Sequence, residues 1–552
     1  MDNRTTRSET AAATETAPNL KKPGFPLKWV IAGIVAFLVI GGTAAFALFA
    51  NKSPKQLYLL SEIKTLEKAG EELEDQNGEL ADFQEKMTEQ PSSTKAEITG
   101  GFGTDAYLPP ELEMMQELLA GLSITTETEQ DPKANKSFTK AGVELEGEEL
   151  LNLELHQSPV QLAAAVPALY DKPFYLNTDE YGQFMRKTDP SYSGPEKLNL
   201  EPLSMKDFEL SEKEETHLKE TYGDFLYKEL KDEYFTKKDN VSYEHNGEDL
   251  NVTQVTMKLS EKETKALLDN LFERMIKDEK LHSIVSSRVT KLANYNVNQM
   301  DMIGAAETKE DFVEGLEDAR KELKGAELPK GFTSVILING DEQVIDRKMD
   351  LTVTGDGSEV PISIHTVDVA YDNGNKRDQE LKVNASSEGE KVEFLLTNNS
   401  VKKDDENRKE NLKAEIRTGT EQESLTFTME SDIKGKTAAK QTADRSFTLK
   451  SDGEMNPVSL TGKLVQEQNV DAEDQTSKQV FDLELNGGDE MGNINVSLKA
   501  DLESKLKEKA DLPELDVQDA VNVNEVTPED MDMISKDITL NIQRLFLDLG
   551  LF

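Results

Sequence analysis

The stretch Gln379-Glu380-Leu381-Lys382-Val383-Asn384-Ala385-Ser386, followed after a short break by Lys391-Val392-Glu393-Phe394-Leu395-Leu396, decides the fold. Apolar side chains recur at every second position, with Lys, Glu and Asn between them except at Leu395. Successive side chains of a β-strand point to opposite faces, so each segment reads as a strand with one apolar and one polar face. The break, Ser387-Glu388-Gly389-Glu390, is polar and contains a glycine, as a turn requires.

The same signature repeats on both sides. Upstream it is Met349, Leu351, Val353; downstream it is Leu412, Ala414, Ile416, then Leu425, Phe427, Met429, then Phe447, Leu449. Val458, Leu460 and Leu464 follow, then Phe481, Leu483, Leu485, and last Ile494, Val496, Leu498. No long helical pattern intervenes between Asp350 and Asp501, so parallel crossovers are excluded there and an antiparallel meander is predicted. Asn339-Gly340 between apolar runs predicts a type I′ hairpin turn at its start.

A sheet with one apolar face needs a partner. Downstream, Thr527-Pro528-Glu529-Asp530 predicts a helix start, and Met531, Ile534, Ile538, Ile542, Leu545 and Leu549 give that helix an apolar stripe suited to covering the sheet. Upstream, Pro54 to Glu89 reads as one long helix, with Leu59, Leu66, Leu73, Leu80 and Met87 at intervals of seven. Glu62, Ala69 and Gln76 spoil the alternate heptad positions, so packing on its own domain is favoured over a coiled coil. Residues 94 to 177 alternate like strands around a helical insertion at Pro110 to Leu122. Ser211-Glu212-Lys213-Glu214 and Ser260-Glu261-Lys262-Glu263 are capping boxes, and a further helix runs from Thr308 to Lys324.

Farther out, Trp29 to Ala50 is a run of 22 residues without a charge, long enough to cross a bilayer core. Lys21, Lys22 and Lys28 on its N-terminal side orient that side to the cytoplasm. The predicted organisation is a disordered cytoplasmic tail at 1–28, a transmembrane signal-anchor helix at 29–50, an extracytoplasmic α+β region at 51–330, and an antiparallel meander with a C-terminal helix at 331–552. The fold class expected is thus α+β: a membrane helix followed by large curved antiparallel sheets covered by amphipathic helices. The alternative for 29–50 is a cleaved signal peptide, for which Ala45-Phe46-Ala47 is a passable site.

Formal net charge is −44, which disfavours nucleic acid and anionic membrane surfaces as partners. The chain has no cysteine, so disulfides, thiolate metal sites and a cysteine nucleophile are excluded. His156, His217, His245, His282 and His365 show no metal-ligand spacing. Gly435-Lys436-Thr437 has the tail of a phosphate loop but Glu430 replaces its first glycine, and Ser92-Ser93-Thr94-Lys95 lacks the companion motifs of a serine acyl-enzyme. Asp372 to Lys376 puts Lys376 where a calcium loop needs an oxygen ligand. No catalytic, cofactor or metal residue is assigned, and no enzyme activity is expected.

Asn51-Lys52-Ser53-Pro54-Lys55-Gln56-Leu57-Tyr58-Leu59-Leu60 and Val521-Asn522-Val523-Asn524-Glu525-Val526-Thr527-Pro528-Glu529-Asp530 resemble segments of uncharacterised, membrane-anchored extracytoplasmic proteins of Gram-positive bacilli. That resemblance implies no activity and no site residues. The meander is also loosely similar in architecture to the half-barrels of bacterial lipoprotein carriers. The function expected is a single-pass cell-membrane protein with an acidic extracytoplasmic binding region for an apolar ligand or a protein partner at the envelope. Two alternatives remain: a carrier or sensor holding a lipid-like ligand against the concave sheet, and an acid-dependent envelope hydrolase.

Overall fold

The computed structural model describes residues 52–548, apart from 106, 108, 193, 199, 201–208, 296–308, 356–357, 388–389, 420–422, 453–458 and 490–491. The expected tail at 1–28 and helix at 29–50 lie outside the described residues. Among the described residues no helix is long and apolar enough to cross a membrane.

The first strands are β1 (Ser92–Thr104), β2 (Leu122–Asp131), β3 (Lys136–Leu145), β4 (Glu148–Ser158), β5 (Gln161–Ala165) and β6 (Phe174–Asn177). A hairpin follows, β7 (Phe235–His245) and β8 (Glu248–Leu259). The long meander comprises β9 (Phe332–Ile338), β10 (Val344–Gly355), β11 (Ser358–Tyr371), β12 (Lys376–Ser387), β13 (Glu390–Lys402) and β14 (Asn407–Gly419). It continues through β15 (Glu423–Lys434), β16 (Lys440–Asp452), β17 (Ser459–Asp471), β18 (Thr476–Asp489) and β19 (Gly492–Leu506), and a two-residue β20 (Val521–Asn522) ends the series.

All twenty strands belong to one sheet. Neighbours in sequence pair from β7 to β19 and from β1 to β6, and the two series join where β1 lies antiparallel to β19, from Ser92↔Leu506 to Thr104↔Ile494. Only β20 is parallel, beside β6. Strands β7 and β20 are therefore the two edges, and they are not paired with each other among the described residues. This corrects the expected fold class. The chain is dominated by one continuous open sheet rather than by sheets in an α+β arrangement behind a membrane helix, because strands from 92–177 extend the meander directly. Local alternation cannot reveal that junction.

Helix α1 (Pro54–Glu89) begins at a capping box, with Ser53 as N-cap and Gln56 reaching back. Asn77-Gly78 does not interrupt it. It crosses the strand ends of the sheet on one face. Tyr58 meets Ser334 of β9 (Oη to Oγ, 2.7 Å), Glu62 binds Arg347 of β10, and Glu72 binds Arg377 of β12 at 2.8 Å. Farther along, the Gln76 carbonyl accepts from the Ala438 amide, Phe83 packs with Ala439, Val470 and Leu506, and the Met87 carbonyl accepts from Gln130 of β2. From Glu62 to Met87 the helix rises about 38 Å. The eleven strand spacings from β10 to β2 measure about 53 Å along the sheet. A straight brace shorter than the row it spans requires the sheet to bend toward it, by roughly 150° at a radius near 20 Å on these spacings. The face that carries α1 is the concave one.

Three further helices, α2 (Glu261–Lys277), α3 (Glu279–Tyr295) and α4 (Lys309–Gly325), sit with α1 over the β8–β11 end of the sheet. Both predicted capping boxes form, at Ser211 and at Ser260. Leu271 of α2 and Leu316 of α4 are buried against Val255, Met257, Ile336 and Leu351, and Arg320 clamps Asp269 and Glu273 across the helix pair at 2.7 to 2.9 Å. The Asn339-Gly340 turn is longer than the predicted two-residue type. The Asn339 carboxamide accepts from the amides of Asp341 and Gln343, and Glu342 takes the left-handed conformation (φ 64°). Helix α5 (Pro528–Asp548) is held near β6 and not over the meander: Asn541 donates to the Leu169 carbonyl, and Ile534 of its apolar stripe is buried while Met531 is exposed, as are Met533, Leu540 and Leu547 on its other sides.

Candidate functional site: the concave face of the sheet

The register places the apolar alternates side by side. One row runs Leu381, Leu396, Ala414, Phe427, Leu449, Leu460 across β12 to β17. The next runs Leu412, Met429, Phe447, Gly462, Leu485, Val496, Phe102 across β14 to β19 and on to β1. It continues as Ile98, Ile124, Val143 and Leu151 into β4. These residues share the face that carries α1. The stripe is notched at Gly462, which admits the ring of Phe447: a Cβ there would lie 2.2 Å from Phe447 Cζ. Phe447 in turn meets Phe427, with ring centroids 6.0 Å apart.

Among the described residues no helix covers this stripe beyond β12. Val392 remains 50 % exposed, Leu425 46 % and Ile494 54 %, whereas Ile336 and Met257 under the helices are 0 % exposed. Eleven spacings by two or three inward residues per strand give an apolar area on the order of 10³ Å², above the few hundred Å² usual on a monomer.

Toward α1 the same face turns polar. Ser431, Arg445, Gln466, Gln468, Gln479 and Ser504 occupy the inward positions there. Gln468 donates to Ser477 at 3.2 Å, and the hydroxyls of Thr94 and Ser504 lie 3.0 Å apart. A cavity of about 880 Å³ opens beneath the end of α1, lined by Phe83, Lys86, Lys440, Val470 and Leu506 among others. The concave face is thus divided into an apolar floor and a polar belt at the braced end.

The convex face is charged along its length. Lys382 pairs with Glu393 at 3.1 Å, Glu393 with Arg417 at 3.1 Å, and Glu415 with both Arg417 and Lys413, at 2.9 and 3.1 Å. Lys499–Asp501 and Lys95–Glu127 continue the pattern on β19, β1 and β2. A membrane-spanning barrel carries the opposite polarity, apolar outside and polar within, and charges at mid-membrane on its outer face cost about 2–4 kcal/mol each.

The residues weighed for chemistry are dispersed. His217, His245 and His365 pair with Asp278, Asp378 and Asp346, His156 meets the Phe138 ring at a tilt, and His282 is buried against the Met275 carbonyl. Among the described residues no group of three or more His, Asp or Glu is arranged to hold a metal. Gly435 to Thr437 lies in the β15–β16 connection, where Gly435 is left-handed (φ 101°), and not in a strand-to-helix turn. Ser92 to Lys95 lies within β1 and Asp372 to Asn375 in the β11–β12 turn.

No protein-family model and no curated protein matches the sequence. Among solved structures the chain is similar to the CymD monoaromatic hydrocarbon channel, at 6% identity over 78% of this chain and 93% of that one, with a TM-score of 0.20. It is also similar to Pseudomonas aeruginosa OccK5 (5% identity, 75% of this chain and 97% of that one, TM-score 0.23). A third is Wzi, an outer membrane protein of Escherichia coli (7% identity, 86% and 97%, TM-score 0.19). At TM-scores this low the chains do not superpose as one fold.

The expected single-pass, helix-anchored binding protein of the cell membrane is withdrawn. No described helix can span a bilayer, and the sheet rather than an anchored α+β region organises the chain. Membrane attachment through one N-terminal helix, and the localisation built on it, are withdrawn with it. The hydrophobic count that suggested both is a property of Trp29 to Ala50 alone, outside the described residues.

Proposed function

We propose that this chain is a non-enzymatic transport channel for acyl-chain molecules, open along one side, whose wall is the concave face of the sheet. The observation that carries the reading is the in-register apolar stripe from β12 through β19 and β1 to β4, which beyond β12 no helix covers among the described residues. Leaving one large apolar side chain in water forgoes roughly 1.5–3 kcal/mol, so a stripe of this size favours an occupant. The inward alternates of many strands form one path without an internal wall, so the geometry suits passage along the face rather than enclosure of a single ligand. The charged convex face keeps the outside of the wall in water.

The test is movement of a pyrene-labelled phospholipid between donor and acceptor vesicles in the presence of the full chain. Acceleration over the protein-free rate is expected, with loss in Leu483→Asp on the stripe and retention in Glu484→Lys on the convex face. No acceleration by the unmodified chain, or equal loss in both variants, would refute the channel. Kinship with the Gram-positive proteins resembled at Asn51 to Leu60 and Val521 to Asp530 stays a separate proposal and assigns no activity.

A further inference from the structure

Four arginines of the strands lie on the concave face: Arg347, Arg377, Arg408 and Arg445. Three are neutralised by carboxylates. Arg347 binds Glu62, Arg377 binds Asp368 and Glu72 at 2.5 to 2.8 Å, and Arg408 binds Glu410 at 2.6 Å. Arg445 is the exception. Its Nη1 donates to the Gln466 carboxamide oxygen at 3.0 Å, and no carboxylate is within ion-pair distance among the described residues.

The surroundings make this unusual. Arg445 is half-buried, with Ala443 and Phe447 as its inward neighbours on β16, the buried Ser431 opposite on β15, and Leu464 opposite on β17. Burial draws its guanidinium below the usual range, Glu410 pulls it back up, and Arg408 adds to the lowering. A desolvated cation without a counter-charge is costly, and a guanidinium has five N–H donors to satisfy. In a chain with 107 acidic residues, a partner carboxylate would be the simplest remedy, and of these four arginines only Arg445 lacks one among the described residues.

Its place is the boundary between the two zones described above. Phe447, Phe427 and Leu464 lie on the apolar side, and Gln466 and Gln468 on the polar side. Apolar floor, planar donor fork and polar belt occur in that order along the strands. A planar guanidinium is the group best matched to a carboxylate or phosphate.

We propose that Arg445 anchors the head group of the transported molecule, and that this molecule is an anionic amphiphile. Its carboxylate or phosphate sits on the free N–H groups of Arg445, and its acyl chain lies over Phe447 and Phe427. The assignment rests on the channel reading and adds the substrate class to it.

The experiment measures binding of three eighteen-carbon probes to the full chain: oleate, oleyl phosphate and the neutral oleyl alcohol. At least one anionic probe binds about tenfold or more tightly than the alcohol, the size of one charge-assisted hydrogen bond. Arg445→Met brings the anions down to the level of the alcohol and leaves alcohol binding and thermal midpoint unchanged, while Arg445→Lys keeps much of the preference. Whichever anion binds more tightly identifies the head group as carboxylate or phosphate. Equal binding of all three probes to the unmodified chain, or an equal loss of all three in Arg445→Met, overturns the anchor and leaves the channel standing. Binding of none of them overturns the channel itself.

Discussion

The two ends of the concave face carry the same alternation and meet different fates. Under α2 to α4, the inward residues of β8 to β10 are sealed: Val255, Met257 and Ile336 are 0 % exposed. From β13 to β19 the inward residues are as apolar, yet Val392, Ile416, Leu425 and Leu498 keep 43 to 50 % of their surface in water. Alternation therefore fixes which face is apolar and says nothing about what covers it. The covered end supplies stability, because its side chains leave water when the helices dock. The uncovered end is held in place by its own ladders and by α1 at the rim, which leaves its apolar side chains available to something else.

The sharpest way to break that comparison is to place a charge at each end. Ile336→Asp puts an unpaired carboxylate into the sealed core, and a loss of about 4 kcal/mol or more is expected, read as a collapsed or absent thermal transition. Glu62→Gln is next. It leaves Arg347 buried without its counter-charge beneath α1, where the two side chains are 14% and 10% exposed, and removing one partner of such a pair costs about 3–5 kcal/mol. Denaturant unfolding would show it, and an unchanged midpoint would mean that α1 does not brace the sheet.

Leu498→Asp, in the uncovered stretch, should change stability by only about 0.5 kcal/mol while reducing lipid transfer. If it melts the protein as Ile336→Asp does, the stripe is packed in solution and the two ends do not differ.

The smallest effect is one of pH. Hydrogen bonds from Arg288, then from the Ser211 amide, hold the Glu214 carboxyl down to about 2. A depressed folded-state value means a contribution that is complete above the ordinary carboxylate range near 4.5 and lost as pH falls toward 2. Amide exchange at the start of the Glu212–Leu218 helix should accelerate over that window, while exchange in β13 to β19 should not follow it. Parallel acceleration in both would show that the two ends open together.

How legible was this in the sequence? The strands of the meander were, since Leu381, Phe394 and Phe427 announce their face by period alone. The capping boxes were too, because Ser260 and Glu263 interact within one turn of chain. The cover was not: α5 has an apolar stripe of suitable length, but its position is set by Val521 beside Phe174 and by Asn541 on Leu169, contacts between residues hundreds of positions apart. The brace formed by α1 was equally hidden. Its contacts with Arg347, Arg377 and Gln130 come from three separate strands, and of its heptad residues Leu59, Leu80 and Met87 pack inward while Leu66 and Leu73 are exposed. Arg445 was visible as a charge inside an apolar alternation, but a charge at an inward position reads as noise until its neighbours across β15 and β17 are known.

The junction of β1 with β19 also governs how the chain must be made. Thr94 and Ser504 share a hydrogen bond across 410 residues of sequence. Ordering so long an intervening loop delays the pairing relative to the local hairpins between β9 and β19, which can zip as they are synthesised. Until β19 emerges from the ribosome, the ladder edge of β1 that it will occupy has no partner, although the β1–β6 series can already pair within itself. An exposed edge on a long strand invites pairing with other chains. Ribosome-bound chains truncated before Gly492 should therefore aggregate or recruit chaperones more than chains extended past Leu506, so the last tenth of the sequence decides whether the first strands are safe.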